Sequence, residues 1–245
     1  MPRLYLAPPH SSALAPGARL LLPPGAARHA QVLRLQPGHA VTLFDGTGGQ
    51  WLAHVTRMGR SEVEVLVQAH APIEREAARA VHLAVGLMAA DRMDWLVEKA
   101  TELGAASLRP LLAERSSLRL GDERAEKKRA HWQAVAIAAC EQSGRNRLPD
   151  VHPQLSIQAH LRQPAPAPQI GWLLSLDGSA TPLRQALAAL APGQPVTLLS
   201  GPEGGLSAAE EAAARAAGYR PIHLGPRVLR AETAPLAALA ALALG

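Results

Sequence analysis

The chain has 245 residues, 48% of them hydrophobic and 18% charged, a balance that builds a globular core and excludes a disordered chain. Its formal net charge of +5 suits a polyanionic partner without requiring one. The single cysteine, Cys140, excludes an internal disulfide and a cysteine-based zinc site, and no run of about 20 uncharged apolar residues marks a membrane span.

Residues 1–72 are punctuated by Pro and Gly and hold short strand-like runs at 40–44, 50–55 and 61–67. The last run alternates apolar and polar residues, as a half-buried strand does. A small β-barrel is expected there, followed by a charged, Ala-rich linker at 73–80. From residue 81 the rhythm becomes strand, then helix. Strands are expected at 81–87, 107–112, 171–176, 196–200 and 222–224. Helices are expected at 91–103, stopped by Gly104, and at 122–141. Another opens at Thr181-Pro182, one runs from a Ser207–Glu210 capping box to Gly218, and the last covers 231–244. The stretch 164–168 reads as a loop. This alternation predicts an α/β domain over 81–245, with a parallel sheet covered on both faces.

Charge is unevenly placed. Residues 115–147 hold eight Arg and Lys against four acids, and residues 1–72 hold six Arg against three acids with five of the ten His. Solvated surface accounts for any one of these charges, while the two clusters together also fit a nucleic-acid surface. The start, Met1-Pro2-Arg3-Leu4-Tyr5, has no apolar run of a secretory leader, so a cytoplasmic location is the expectation. No metal site is expected.

In open α/β sheets ligands bind beyond the carboxyl ends of the strands. Three such ends are unusual here: Leu176-Asp177-Gly178, Ser200-Gly201-Pro202-Glu203-Gly204-Gly205, and Leu224-Gly225-Pro226-Arg227-Val228-Leu229-Arg230-Ala231-Glu232-Thr233. Glycine lets backbone approach a ligand closely, and backbone groups can read an adenine edge. The glycine patterns are neither of the two phosphate-cradling fingerprints, no Lys follows, and Glu203 would repel a phosphate. The first strand-to-helix turn, Leu87-Met88-Ala89-Ala90-Asp91, has no glycine, which leaves a dinucleotide-binding dehydrogenase remote. Taken alone, these segments could equally be tight turns.

The strings themselves carry more. Gly201-Pro202-Glu203-Gly204-Gly205-Leu206-Ser207 and Leu224 through Ala234 closely resemble two signature motifs of the RsmE family of 16S ribosomal RNA (uracil-N3)-methyltransferases, in the SPOUT superfamily. So do Asp91-Arg92-Met93-Asp94-Trp95-Leu96-Val97-Glu98-Lys99-Ala100-Thr101-Glu102-Leu103-Gly104, then Glu114-Arg115-Ser116, then Glu141-Gln142-Ser143-Gly144-Arg145. Order and spacing match over essentially the whole chain. The resemblance implies a SPOUT α/β-knot with a C-terminal trefoil knot, behind an N-terminal PUA-like β-barrel. It implies S-adenosyl-L-methionine bound in the knot by backbone around Leu199, Gly201, Glu203 and Gly204 and around Leu224, Gly225, Val228 and Leu229, with Leu176 and Thr233 beside them. It further implies a homodimer that makes 3-methyluridine at position 1498 of 16S rRNA on assembled small subunits. One departure stands out: the family commonly has Lys-Gly where this chain has Ala89-Ala90, so a phosphate contact from that Lys would be missing.

For catalysis the protein must position the uridine, take its N3 proton and stabilise charge on the uracil oxygens. Arg230 is the candidate oxyanion stabiliser, or else a salt-bridge partner of Glu232 or Glu203. Glu232 is a candidate base or a buffer for Arg230, and Glu203 a candidate base or a cap on nearby backbone N–H groups. Arg92 and Asp94 read as helix-start residues. RNA contacts are expected from Arg3, His29 and Arg34 in the barrel and from Arg115, Gln142 and Arg145 beyond it. A SPOUT enzyme with another RNA target and a non-catalytic RNA-binding assembly factor are the rival functions.

Overall fold

The computed structural model describes residues 1–60, 62–118, 121–163 and 169–243. Ser61, Arg119, Leu120, the expected loop 164–168, Leu244 and Gly245 lie outside the described residues. The chain divides into two compact units: Met1–Glu76 with Ile137–Leu148, and Ala77–Ala136 with Pro149–Gly245.

The first unit runs β1 (Arg3–Tyr5), a 3-10 turn (His10–Ala13), β2 (Arg19–Leu21), α1 (Pro24–Val32), β3 (Ala40–Phe44), β4 (Gln50–Met58) and β5 (Val63–Ala71). The strands form one sheet in the order β1-β3-β4-β5-β2, antiparallel except for β1 beside β3. Alternation decides its faces: Val63, Val65 and Val67 are fully buried, together with Val41, Leu43, Ala53 and Val55. Helix α1 adds Ala26, Ala27 and Ala30 to this core. Pro23-Pro24-Gly25 hides the helix in the sequence, yet Pro at the first helical turn costs nothing because its missing N–H would have no intrahelical partner. The helix ends at Arg34, which takes a left-handed φ of 52°. The Leu35 N–H returns to the Ala30 carbonyl at 3.1 Å, and Leu35 is buried. That is a glycine's usual place, occupied here by an exposed arginine.

Residues 144–148 are stitched into this unit. Arg3 donates to the Arg145 carbonyl (3.0 Å), to Asn146 Oδ1 (2.5 Å) and to Gln50 Oε1 (2.9 Å), and sits 4.9 Å over the Phe44 ring. The Tyr5 N–H donates to Glu141 at 2.9 Å, and His29 Nδ1 lies 2.9 Å from the same carboxylate. Burial pushes the Glu141 carboxyl above its usual range, against the opposing pull of the Tyr5 N–H and His29. Arg145 pairs with Glu76 at 2.5 Å with 5% of its side chain exposed, and Arg147 pairs with Glu74 at 3.2 Å. The expected linker is therefore anchored at Glu74 and Glu76.

The second unit opens with β6 (Val81–Gly86), α2 (Ala90–Glu102) and β7 (Ser107–Leu112). Helix α3 (Asp122–Ser143) follows, its residues from Ile137 belonging to the first unit. Then come β8 (Asp150–Val151), β9 (Leu155–Ser156), α4 (Ile157–Leu161), β10 (Ile170–Leu174), β11 (Thr181–Pro182), α5 (Leu183–Ala188), β12 (Val196–Ser200), α6 (Ala208–Ala216), β13 (Arg220–His223) and α7 (Thr233–Ala243). Every strand pair is parallel, in the order β11-β13-β10-β12-β6-β7-β8 with β9 also beside β7. The middle strands are buried nearly throughout, at Val81, Leu83, Ala84 and Val85, at Leu198 and Leu199, and at Trp172 and Leu173. Asp94 ties α2 to α3 by accepting from Trp132 Nε1 at 2.9 Å and meeting His131 Nε2 at 2.9 Å. Gly104 ends α2 in a left-handed turn, and Ser207 and Glu210 form a full capping box. The short elements β8, β9 and α4 were not expected, and two further details differ from expectation. Thr181-Pro182 pairs as a short strand with β13 before its helix starts at Leu183. Strand β10 stops at Leu174, and the chain turns at Asp177, whose carboxylate accepts from the N–H and hydroxyl of Ser179. No helix among the described residues is long and apolar enough to cross a membrane.

Two substitutions separate the frame from the surface of the first unit. Arg145→Ala leaves Glu76 without its cation and is expected to lower unfolding free energy by about 3 kcal/mol in urea melts. Arg34→Gly relieves a left-handed backbone and is expected to raise it by about 0.5–1 kcal/mol.

Candidate active site

Because β12 and β13 both pair with β10, the carboxyl ends of these three strands lie side by side. Their outgoing loops enclose a cavity of about 760 Å³, in the range of small-molecule sites. Its walls come from 174–178, 200–206 and 222–229, with Ala231 and Ala234 at the start of α7 and with Arg115 and Glu211.

Backbone clearance sets its shape. A Cβ at Gly86 would lie 2.3 Å from the Pro202 nitrogen, so the loop leaving β12 crosses directly over the end of β6. A Cβ at Gly201 would lie 2.8 Å from the Gly205 carbonyl carbon, inside a turn closed by the Gly205 N–H on the Pro202 carbonyl at 2.8 Å. Gly225 has φ of 103° and nothing within 4 Å of where its Cβ would stand. Leu176 and Val228 keep 76% of their surface exposed beside these turns, and the buried Ser200 Oγ has no hydrogen-bond partner. Open backbone, an unsatisfied hydroxyl and flanking leucine and valine side chains fit a flat, nitrogen-edged ring system such as an adenosine.

The charged groups are arranged differently from expectation. Glu203 accepts from the Ala89 N–H at 2.9 Å and the Ser117 hydroxyl at 3.2 Å, and lies 3.6 Å from Arg92. Burial pushes its carboxyl up, but the Ala89, Glu203 and Ser117 donors and the Arg92 charge outweigh this and hold it below the usual range. It is a carboxylate that pins the loop and caps the turn before α2. Arg92 also reaches Glu232 at 4.0 Å, so the partner of both acids is Arg92 and not Arg230. Glu232 is buried, and its Oε2 has no hydrogen bond. Arg230 is exposed, and its carbonyl accepts the Thr233 and Ala234 N–H groups at 3.0 Å. Among the described residues its guanidinium has no hydrogen-bond or ion-pair partner. Arg115 braces the loop by donating to the carbonyls of Gly204 (3.2 Å) and Leu206 (3.3 Å).

Of the residues expected to hold a cofactor, Leu176, Gly201, Glu203, Gly204, Leu224, Gly225, Val228 and Leu229 line the cavity. Leu199 is fully buried in the core beneath it, and Thr233 opens α7 without forming a wall. Sequence reasoning missed Gly86, the unsatisfied hydroxyl of Ser200 and the bridging role of Arg92, although Ser200, Asp177 and Arg92 all lay in strings it singled out. Among the expected RNA contacts, Arg34 and Gln142 are exposed in the first unit and Arg115 in the second, while Arg3 and Arg145 are built into the first unit's frame. Much of the basic cluster at 115–147 is also paired: Lys127 with Glu123, Arg129 with Glu126, Arg145 with Glu76 and Arg147 with Glu74.

Comparison with known proteins agrees with this geometry. Residues 75–243 match the family model of an RNA methyltransferase domain, and residues 22–68 that of an RNA methyltransferase PUA domain. Ribosomal RNA small subunit methyltransferase E of Bacillus subtilis is 32% identical over 214 residues, covering 86% of this chain and 84% of that protein. The crystal structure of the enzyme of that name from Neisseria gonorrhoeae, bound to S-adenosyl methionine, matches with a TM-score of 0.88 at 35% identity, over 98% of this chain and 96% of that one. A methyltransferase from Legionella pneumophila in complex with the bound cofactor SAM matches with a TM-score of 0.89 at 32% identity, over the same shares of the two chains. The chain therefore belongs to the ribosomal RNA small subunit methyltransferase E family, with a PUA-like domain ahead of a parallel-sheet methyltransferase domain of the SPOUT class.

Proposed function

We propose that this protein transfers the methyl group of S-adenosyl-L-methionine to N3 of a uridine in 16S rRNA, acting on the small ribosomal subunit as a cytoplasmic homodimer. The three-loop cavity at the carboxyl ends of β10, β12 and β13 carries the proposal, because backbone and glycine form its walls where a nucleoside would lie. Backbone of Gly201, Gly204, Leu224, Gly225 and Leu229 would hold the adenosine, with Leu176 and Val228 against its ring, Ser200 offering its hydroxyl, and Leu199 and Thr233 supporting from beneath and beside. When bound, the cofactor supplies a methyl group made electrophilic by its sulfonium. Position 1498 and the trefoil knot follow from the family resemblance. We assign residues 1–72 to an RNA-binding PUA-like barrel, 73–80 to a linker and 81–245 to the methyltransferase domain.

The chain's own residues have separable tasks. Arg230 offers an uncommitted guanidinium beside the cofactor loop, suited to developing charge on a uracil oxygen. Glu232 is the candidate acceptor for the N3 proton: its Oε2 is buried and without a hydrogen bond among the described residues, and Arg92 stands 4.0 Å away. Glu203 holds the loop and takes no proton. For RNA, Arg34, Gln142 and His29 of the first unit and Arg115 of the second contact the substrate, while Arg3 and Arg145 act by keeping the first unit in shape. The large apolar side chain left on the second unit outside that cavity, Trp95 at 45% exposure, supports a partner subunit.

The deciding assay incubates the protein with labelled S-adenosylmethionine and small subunits from cells lacking the modification, then identifies the nucleoside by mass spectrometry. Label in 3-methyluridine at one 16S position is expected. Label in any other nucleoside, or cofactor binding without transfer, overturns the proposal. Arg230→Ala should lower kcat by roughly a hundredfold with cofactor affinity unchanged, the loss typical of one oxyanion donor. Gly86→Ala should weaken cofactor binding by roughly a hundredfold, since the new methyl group displaces the Pro202 turn, while the circular dichroism spectrum stays that of the parent.

A further inference from the structure

A second cavity, of about 610 Å³, opens in the second unit at the other ends of the parallel strands and shares no wall residue with the three-loop cavity. Its walls come from strand starts: His82 in β6, Ser107 and Arg109 in β7, Asp150 in β8, Thr197 in β12, and Tyr219 just before β13. His152, His160 of α4, Gln163 and Gln169 add to its polar side.

The polar groups are held in place yet not satisfied. His82 Nδ1 is fixed by Ser107 Oγ at 2.8 Å. His160 Nε2 is fixed by the Tyr219 hydroxyl at 2.9 Å, while its buried Nδ1 has no partner. Tyr219 is seated against Gly171, where a Cβ would lie 2.9 Å from the ring, and burial pushes its hydroxyl up to about 12, so it keeps its proton. Among the described residues, Arg109 uses one of its five N–H donors, on the Pro153 carbonyl at 3.3 Å. Among the described residues, Asp150 is the only acid in the walls. A permanent cation, three imidazoles and one carboxylate thus face a space far larger than a water molecule.

We propose that this cavity binds a small phosphate-bearing anion, with Arg109 as its fixed cation and His82 and His152 as donors that take up protons when it binds. A phosphate offers three terminal oxygens to donors arriving from separate strands, and an arginine fork matches two of them. The cavity, which Leu83, Ala84, Leu161 and Pro195 also line, is larger than a bare phosphate needs, so a phosphorylated sugar is the second candidate. The electrostatics agree. Burial is the main cause that lowers the His82, His152 and His160 imidazoles from their usual range. Arg109 lowers His152 and His160 further, His82 also lowers His152, and Asp150 works against this at His152. Without an anion, burial at all three rings and the Arg109 charge at His152 and His160 favour the neutral form. A bound anion favours their charged form and raises their pKa values, so binding takes up protons and tightens as pH falls through the histidine range.

The test is calorimetric titration of the full-length protein with inorganic phosphate and with ribose 5-phosphate at pH 6 and pH 8, with S-adenosylmethionine binding measured in parallel. Binding is expected at pH 6 with proton uptake, read as a buffer-dependent enthalpy, and about tenfold weaker binding at pH 8. Arg109→Gln and His152→Gln should each weaken it about tenfold or more while melting like the parent and binding S-adenosylmethionine normally. If Arg109→Gln fails to fold, Arg109→Lys, which keeps the charge and loses the fork, should weaken binding instead. Tighter binding of ribose 5-phosphate identifies a phosphorylated sugar, and equal binding identifies free phosphate. No binding of either probe at pH 6, binding that persists in both variants, or competition with S-adenosylmethionine overturns the proposal.

Discussion

No side chain fits between the end of β6 and the chain leaving β12. With the Gly86 Cβ position 2.3 Å from the Pro202 nitrogen, two backbones cross in direct contact, and the rest of the site is arranged around that crossing. The loop cannot lift, because Arg115 holds the carbonyls of Gly204 and Leu206 and Glu203 holds the Ala89 N–H. It cannot slide along the helix that follows, because Ser207 and Glu210 cap α6, and the second oxygen of Glu210 takes the Glu114 N–H at 2.8 Å. A loop so fixed presents its backbone groups without paying an ordering cost when a ligand arrives, which is the advantage of a preformed site.

The same network sorts the acids near the cavity by task. Glu203 and Glu232 share Arg92, but only Glu203 also receives a backbone N–H and a hydroxyl. Hydrogen bonds to the ionised form make a carboxylate a weaker base, so the group with the most donors is the least suited to accept a proton. Glu232 is buried with one oxygen lacking a hydrogen bond among the described residues, and this difference is why it and not Glu203 is proposed as the proton acceptor. A pairing of Arg230 with either acid would have immobilised its guanidinium. Its absence among the described residues leaves Arg230 able to answer charge that develops only during reaction.

Much of the second unit was legible because its signals are local. The runs at 107–112 and 196–200 coincide with β7 and β12, Gly104 ends α2, and the Ser207–Glu210 capping box forms as read. The first unit was harder. Strands β1 and β2 are three residues each, too short for periodicity, and Pro23-Pro24-Gly25 hid α1. No local pattern could show that Ile137–Leu148 folds with the first unit, since Arg3, Tyr5 and Glu76 meet that segment from about 70 to 140 positions away. The cavity walls were legible at the glycine-rich strings, which resemble a family's motifs. The Gly86 crossing, the orphan Ser200 hydroxyl and the Arg92 bridge were not, because each is defined by a neighbour more than a hundred positions distant or by a partner it lacks among the described residues.

A parallel sheet gathers its strand starts at one end and its strand finishes at the other, and here the two ends carry different chemistry. At the finishes, loops of glycine and apolar residues expose backbone, which recognises shape and hydrogen-bonding edges with little net charge. At the starts, side chains from β6, β7 and β8 stand close together, and three imidazoles beside an arginine are pressed toward their neutral form, by burial at all three and by the Arg109 charge at His152 and His160. Burying polar groups this way costs free energy unless something compensates. His82 with Ser107, and His160 with Tyr219, each recover one hydrogen bond, but among the described residues the spare donors of Arg109 and the bare Nδ1 of His160 recover none. An anion supplies the missing acceptors and removes the repulsion together. A neutral guest of the same size would supply only the first.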